Sequence, residues 1–258
     1  MCVRVLKAKP LLGLLVFLFL MVLFAGNAHS KELKIGVGNF EPFFVEQDQS
    51  GLFLSLTKAV FQQMPRYRTE YLFMTNKRLM YNIVQRKLDV ACNIFTAASS
   101  NIYLSAPLYR YRDVAITLKK NSLRIKTVAD LTDRSIIAYQ GATDLLGKEF
   151  QIMASSNKRY QEHKSPSTTT FYLVRGRKEV RIGDINIFYH DITASKYRGK
   201  VGIQDFTIHR LWPDVFSFMA THDETLRDEI NRAIRTIKAN GTYERLYQEF
   251  KKEMVGIE

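Results

Sequence analysis

The stretch that decides the fold is KELKIGVGNFEPFFVEQDQSG, Lys31–Gly51. Apolar residues alternate with other residues from Leu33 to Val37, which is the period-2 pattern of a β-strand. Gly38 follows directly and lets the backbone approach a neighbouring group, and Pro42 restricts the loop. Ligands of open α/β sheets bind in loops at the carboxyl ends of strands. We therefore predict a strand that leads into a ligand-facing loop.

Three phenylalanines in this loop have environments that the sequence leaves open. Phe43 and Phe44 are either core residues or part of an aromatic wall. Phe40 lies next to Gly38 and is the better candidate for a stacking surface, because its ring follows the predicted end of the strand. We expect Phe40 to line a ligand cleft.

Strand and helix patterns alternate along the rest of the chain, and this alternation predicts α/β layers. The strongest amphipathic helix is Asp223–Lys238, whose apolar residues lie on one stripe. Predicted helices are Leu52–Met64, Asn76–Arg86, Leu145–Met153, Ser165–Val180 and Ile192–Arg198. Predicted strands are Thr69–Met74, Asp113–Leu118, Ser135–Tyr139, Lys158–His163 and Val215–Ala220.

The amino terminus has the pattern of a secretory signal peptide over residues 1–30. Basic residues come first, Leu11–Phe24 is almost continuously apolar, and Ala28-His29-Ser30 supplies small residues before a cut at Lys31. The long apolar run leaves an N-terminal membrane anchor as the alternative. With cleavage, the mature protein is expected in the periplasm.

Charge and cysteine content narrow the possible classes of protein. The net charge is +13, and cleavage would remove Arg4, Lys7 and Lys9 to leave +10. The basic residues are dispersed, so we interpret them as solvated surface and expect no nucleic-acid partner. Cys92 would be the only cysteine of the mature chain, which excludes an internal disulfide. No cysteine or carboxylate set has metal-ligand spacing around His190, so we predict neither a metal nor a cofactor.

Several weak motifs, taken in order, resemble the bacterial extracellular solute-binding proteins of family 3, the periplasmic amino-acid-binding type. Lys87–Cys92 resembles the family's step into its third strand, and Tyr103–Tyr109 resembles its Phe-Ser-Asp-Pro segment. The ending around Asn240-Gly241-Thr242-Tyr243 is the best single match. The resemblance covers Lys31 to about Lys252.

The resemblance implies a two-lobed, type II periplasmic-binding-protein-like fold. Residues 31–118 and 215–258 would form lobe 1 and residues 119–214 lobe 2, with Asp113–Leu118 and Val215–Ala220 as the crossing strands at the hinge. The implied function is capture of a small polar solute between the lobes of a monomer. The implied partner is an ABC permease, or alternatively a membrane sensor. An enzyme on this scaffold is the less favoured alternative, because no nucleophile–base pair or Gly-x-Ser-x-Gly motif is present.

The resemblance also implies which residues contact the ligand. Asn93 and Thr96 follow the third strand, and Asn101 stands at or near the family's carboxylate-binding arginine. Ala142 and Thr143 lie in a turn whose free backbone N–H groups would favour an anion, although this turn is equally consistent with a plain helix cap. The proposed ligand residues are Phe40, Asn93, Thr96, Asn101, Ala142, Thr143 and Asp191.

Gly183–Asp191 repeats the pattern seen before Asn93, a glycine, two residues, a polar residue and then a strand. The resemblance implies that this pattern ends in an aspartate that pairs with the ligand's ammonium group, and Asp191 stands at that position. The alternative is that Asp191 only caps the predicted helix Ile192–Arg198. A neutral amide such as Asn101 cannot replace a bidentate guanidinium. We therefore expect a ligand with an amine group, rather than a standard α-amino acid held through an arginine at position 101.

Overall fold

The computed structural model describes residues 31–97, 99–193, 197 and 199–255. The predicted signal peptide, residues 1–30, lies outside them, and its assignment stays a prediction. The strands are β1 (Lys31–Val37), β2 (Tyr67–Phe73), β3 (Val90–Ile94), β4 (Tyr103–Leu104), β5 (Tyr109–Tyr111), β6 (Asp113–Leu118), β7 (Ile136–Tyr139), β8 (Tyr160–His163), β9 (Val180–Asp184), β10 (Phe206–His209) and β11 (Val215–Thr221). The helices are α1 (Leu52–Gln62), α2 (Asn76–Val84), α3 (Ala142–Leu145), α4 (Lys148–Ser156), α5 (Pro166–Val174), α6 (Ile185–Thr193), α7 (Glu224–Ala239) and α8 (Thr242–Val255).

These strands form two sheets, each carrying its own hydrophobic core. The first has the order β2-β1-β3-β11-β4, with β5 also paired to β11, and the second has the order β10-β6-β9-β7-β8. In the first sheet β1 is parallel to β2 and β3, whereas β11 runs antiparallel to its neighbours. The prediction of a two-lobed α/β fold is confirmed.

The chain crosses between the sheets at two closely connected segments. On the outward path β5 ends at Tyr111 and β6 begins at Asp113, so the crossing falls at Arg112. The return lies between His209 and Val215. The Arg112 guanidinium donates to both carboxylate oxygens of Asp214, from Nε at 2.8 Å and from Nη2 at 2.9 Å. This bidentate ion pair ties the two crossing segments together.

The predicted lobe boundary after Leu118 differs from the observed change of sheet. Strand β6 was expected to end lobe 1, but it pairs with β9 on one side and β10 on the other, both in the second sheet. All of its residues are buried there, which is why its apolar pattern identified a strand without identifying its sheet. On the return path the sheet changes between His209 and Val215, and the division of the chain into lobes stays a prediction.

Two of the loop phenylalanines, Phe43 and Phe44, are part of the hydrophobic core of the first lobe. Phe43 and Phe44 are fully buried. The Phe43 ring stacks on Phe53 of α1 at a centroid distance of 4.0 Å, and Phe44 packs edge-on against the same ring. Both residues therefore serve as core, and their burial fixes the loop against α1.

The segment from 165 to 193 differs from its predicted secondary structure. The helix that was expected to reach Val180 ends at Val174, because Gly176 takes the left-handed conformation that commonly follows a helix. Strand β9 then begins at Val180. The apolar run after Gly183, read as the start of a strand, is helix α6, and Asp184 caps it by accepting from the N–H groups of Asn186 and Ile187. No helix among the described residues is long and apolar enough to span a bilayer.

Candidate functional site

A cavity of about 250 Å³ lies between the two sheets and draws its walls from both of them. One part of the cavity wall consists mainly of aromatic rings, and another part contains buried charged groups. The residues that line it are Phe40, Asn76, Asn93, Phe95, Tyr111, Asp113, Tyr139, Gln140, Leu145, Pro166, Thr169, Arg181, Gly183, Asp184, Ile187 and Val215.

Phe40 and two further rings form the aromatic wall. Phe40 packs edge-on against the buried Phe44 at 5.6 Å between centroids. A Cβ at Gly38 would come within 2.6 Å of both rings, so only glycine fits beside them. Phe95 stacks on Tyr111 at 5.7 Å. These rings offer faces that can attract a cation through their quadrupoles.

Asn93 stands at the cavity end of β3 in a left-handed backbone conformation, with φ of 63°. Asparagine tolerates this conformation better than most residues. Its Oδ1 accepts hydrogen bonds from the hydroxyls of Tyr111 and Ser217, both at 2.7 Å. The Nδ2 atom is buried and has no hydrogen-bond partner among the described residues.

Two buried carboxylates, Asp113 and Asp184, face each other as cross-strand partners of β6 and β9. Asp184 accepts from the backbone N–H of Arg112 at 2.8 Å, in addition to capping α6. Asp113 accepts from the Tyr139 hydroxyl at 3.0 Å. Burial, reinforced by the charge of Asp184, raises the pKa of Asp113 to about 7. Burial also raises the pKa of Asp184 to about 6, so both groups favour a positive neighbour.

Arg181 on β9 places a buried guanidinium in the same wall. Its side chain is 2% exposed. Nε donates to Thr169 Oγ1 at 3.1 Å, and Cζ lies 5.3 Å from the centroid of the Phe188 ring. Burial lowers its pKa, which the nearby aspartates partly offset. Its Nη1 has no hydrogen-bond partner within the described part of the chain.

Two predicted ligand residues at the end of β3 lie away from the cavity. Thr96 is exposed and is not in the cavity wall, where its neighbour Phe95 takes part instead. Asn101 is also exposed, and its carbonyl oxygen lies 3.0 Å from Nδ1 of His222. Neither residue is brought to Phe40 and Asn93, which share the cavity.

The predicted anion turn at Ala142 and Thr143 already binds a carboxylate of the protein. Glu162 accepts from the backbone N–H of Gly141 at 2.8 Å and of Thr143 at 3.1 Å, and from the Thr143 hydroxyl at 3.0 Å. Burial opposes ionisation of Glu162, but these hydrogen bonds hold its pKa below the ordinary value. Ala142 is buried in the core of the second lobe. The N–H groups of Gly141 and Thr143 are therefore not free for a ligand.

Asp191 lies on α6 outside the cavity wall and accepts from the Thr170 hydroxyl at 2.6 Å. Asp184, which sequence reasoning missed, reaches the cavity. The pattern Gly183–Asp191 was aligned as a glycine step into a strand, whereas β9 ends at Asp184. Gly176 could have indicated the correct assignment, because glycine commonly ends a helix. A helix that ends near Gly176 leaves room for a strand before Gly183, and that strand then ends at Asp184.

Comparison with known proteins agrees with this architecture. Residues 33–253 match the family described as bacterial extracellular solute-binding proteins, family 3. The L-cystine-binding protein TcyJ of Bacillus subtilis (strain 168) is 22% identical over 253 residues, covering 91% of this chain and 92% of the relative.

Two solved structures share the fold over most of their length. One is the GluR0 ligand-binding core in complex with L-glutamate, with a TM-score of 0.67, 14% identity, and coverage of 87% of this chain and 99% of that one. The other is a histidine kinase sensor domain with similarity to periplasmic binding proteins, with a TM-score of 0.65, 14% identity, and coverage of 86% and 96%. The type II two-lobed fold is thereby confirmed. The chain belongs to the bacterial extracellular solute-binding proteins of family 3, as its sequence motifs implied.

Proposed function

We propose that this solute-binding protein captures a small polar solute with a positively charged amine in the cavity between its lobes. The observation that carries the proposal is the pair of buried carboxylates, Asp113 and Asp184, facing aromatic rings across one cavity. A cation placed there gains charge-assisted hydrogen bonds on one side and ring faces on the other.

The charge balance of the cavity supports a cationic ligand. Burial raises the pKa of both carboxyl groups, and the charge of Asp184 raises that of Asp113 further, so ionising both without a positive neighbour is costly. An amine bound between them would favour ionisation of both. The aromatic wall at Phe40, Phe95 and Tyr111 would replace part of the amine's hydration shell.

The family match favours delivery to an ABC permease after export to the periplasm. Closure of the lobes about the tied crossing segments at Arg112 and Asp214 would mark the loaded state for the permease. TcyJ, by its name, binds L-cystine, a molecule that carries amine groups, and amines of similar size are the first compounds to screen.

A thermal-shift screen of amines and amino acids, followed by calorimetric titration, tests the proposal. A ligand at about 100 times its Kd should stabilise the folded protein by about 2.7 kcal/mol. The decisive variant is Asp184→Asn, which retains one oxygen to cap α6 but loses the charge and the acceptor of the Arg112 N–H. Removing a buried charged partner should weaken amine binding by a few hundred-fold or more.

The matched control is Asp191→Asn, which neutralises a second buried aspartate on α6 away from the cavity. It should leave affinity close to that of the wild type. Amine binding that is unchanged in Asp184→Asn, or lost equally in both variants, would contradict the proposed role of the carboxylate pair.

A further inference from the structure

We infer that a second pocket, which lies behind the crossing segments and which we call the rear pocket, binds a compact dianionic oxyanion of the phosphate class. The rear pocket has a volume of about 210 Å³ and shares no lining residue with the cavity proposed for the amine. Four cationic side chains line it, those of Arg110, Arg112, Arg210 and Lys251. This site is therefore separate from the one that the proposed function uses.

The outward crossing places two of these arginines on the opposite side from the amine cavity. Tyr111 lies in the wall of that cavity, whereas its neighbours Arg110 and Arg112 both line the rear pocket. Successive side chains of an extended segment point to opposite faces, which explains this separation. Helix α6 of the second lobe and helix α8 of the first pack against each other and supply further walls. Both lobes therefore contribute to the rear pocket.

Contacts within the protein hold the two arginines of the outward crossing in place. Cζ of Arg110 lies 4.3 Å from the centroid of the Tyr247 ring, and its backbone N–H donates to the Tyr247 hydroxyl at 2.9 Å. Arg112 is held by its bidentate ion pair with Asp214. Their side chains are only 23% and 32% exposed, respectively. Guanidinium groups that are already fixed lose little freedom when an anion binds to them.

Two carboxylates face the four cations of the rear pocket. Both oxygens of Asp214 accept from Arg112, and one of them also lies 3.8 Å from Nε of Arg110. Glu244 lies 4.0 Å from Nη2 of Arg110, which is too long for a hydrogen bond. Four cations and two carboxylates leave a net charge of +2 in this region. Cations gathered in one pocket repel each other until an anion joins them.

Arg210 and Lys251 carry this excess of charge. Neither forms an ion pair with a carboxylate in the part of the chain that the structure describes. The charges of Arg210 and Arg112 partly offset the rise in the pKa of Tyr189 that burial causes, so both guanidinium groups lie near that ring. The pKa of Asp214 is lowered mainly by its hydrogen bonds from Arg112, and the charge of Arg210 adds to this effect. Arg210 from the return crossing thus faces the same space as Arg112 from the outward one.

A dianionic oxyanion matches the charge and the donors of the rear pocket. Guanidinium groups donate parallel hydrogen bonds to phosphate oxygens, and Asn186 and Tyr189 add an amide and a hydroxyl from α6. A phosphate dianion balances the net charge of the pocket, whereas a single carboxylate neutralises half of it. A volume of about 210 Å³ suits an inorganic ion or one phosphate group.

Calorimetric titration of inorganic phosphate into the wild-type protein tests this assignment. The titration is run at about pH 8, where phosphate is mainly dianionic, and sodium chloride holds the ionic strength constant because salt screens exposed charges. The wild type should bind phosphate at one saturable site with a Kd of about 1 mM or tighter. Acetate, which carries one negative charge, should bind at least about 10-fold more weakly.

Two variants change the charge of the rear pocket in opposite directions. Arg210→Gln removes an exposed cation that forms no ion pair with the described residues, so the fold should persist while phosphate binding weakens by about 5- to 20-fold. Glu244→Gln removes a lining carboxylate and should tighten phosphate binding by about 3- to 10-fold, which a mere structural disturbance would not do. The matched control is Arg68→Gln, the same change at an exposed position of β2 outside the rear pocket, which should leave phosphate affinity unchanged.

Four results would overturn the inference: no saturable phosphate binding, unchanged binding in Arg210→Gln, an equal loss in Arg68→Gln, or weaker binding in Glu244→Gln. Co-sedimentation with phosphatidylglycerol vesicles is measured in parallel. Binding to the vesicles without binding to inorganic phosphate would also overturn it and assign the arginines to a lipid headgroup. If Arg210→Gln fails to fold, Lys251→Gln removes another exposed cation of the same pocket and should give a similar loss. Each of these failures leaves the amine site standing, because the two pockets share no lining residue.

Discussion

Replacing Asp113 by Asn is expected to stabilise the folded protein at neutral and alkaline pH. The carboxyl group is 6% exposed and faces a second buried carboxylate at Asp184. Burial and this neighbour raise its pKa from 3.8 to about 7. Asparagine has the same shape and keeps an oxygen for the Tyr139 hydroxyl, so the substitution removes a charge without opening a cavity.

The magnitude and its sign follow from the pKa difference between the folded and unfolded chains. Above pH 7 both states are ionised, and the folded state carries the full penalty of about 4 kcal/mol. As the pH falls through 7, the folded carboxyl binds a proton while the unfolded one remains ionised. The penalty therefore shrinks, and it is absent below the unfolded pKa of 3.8.

Urea unfolding at pH 8, 6 and 4 measures this dependence on wild type, Asp113→Asn and the control Asp191→Asn. The first variant should gain free energy of unfolding at pH 8, up to about 4 kcal/mol, and lose that advantage by pH 4. The control should lose stability, because Asp191 accepts from Thr170 and offsets the charge of Arg181. No gain at pH 8, or a gain independent of pH, would refute the reasoning.

Four further outcomes are expected. Phe40→Ala should weaken amine binding by about 3- to 30-fold in calorimetric titration, with a loss of unfolding free energy below the ~3 kcal/mol of a core phenylalanine; a larger loss in urea would assign Phe40 to the core. The affinity for an amine should rise from pH 5 to pH 8, because Asp113 and Asp184 must ionise to bind it, and a flat titration profile would contradict their role. The thiol of Cys92 is fully buried and its pKa is raised to about 11 by burial, so a thiol reagent should modify it only after unfolding; rapid labelling of native protein would disagree. Intact-mass analysis of exported protein should find a chain that begins near Lys31, and retention of residues 1–30 would identify a membrane anchor instead.

The sequence predicted the elements whose patterns are local. Strand β1 and helix α7 follow from periodicity, and the family from the order of several short motifs. The segment 165–193 was misread because an apolar run of that length fits a strand or a helix equally. As a result the sequence analysis singled out Asp191, whereas the aspartate of this segment that lines the cavity is Asp184.

Other site features depend on contacts that periodicity does not encode. Arg181 lies in β9, and this strand is buried because α5 and α6 pack against it, a contact that the sequence pattern does not show. Glu162 reaches the turn at Gly141 and Thr143 because β8 runs parallel beside β7, a register that the sequence does not reveal. Asn93, by contrast, was found because it ends a well-patterned strand.

The position of β11 has a consequence for how the protein folds. This strand lies between β3 and β4 in the first sheet, yet it is synthesised after the whole of the second sheet. The second sheet comes from one continuous segment and can assemble as soon as His209 is available. Until β11 is synthesised, one edge of β3 has no pairing partner, and an unpaired strand edge can associate with other chains. A nascent chain that stalls before Val215 would therefore be prone to aggregation, and closing the first sheet should be the slower step of folding.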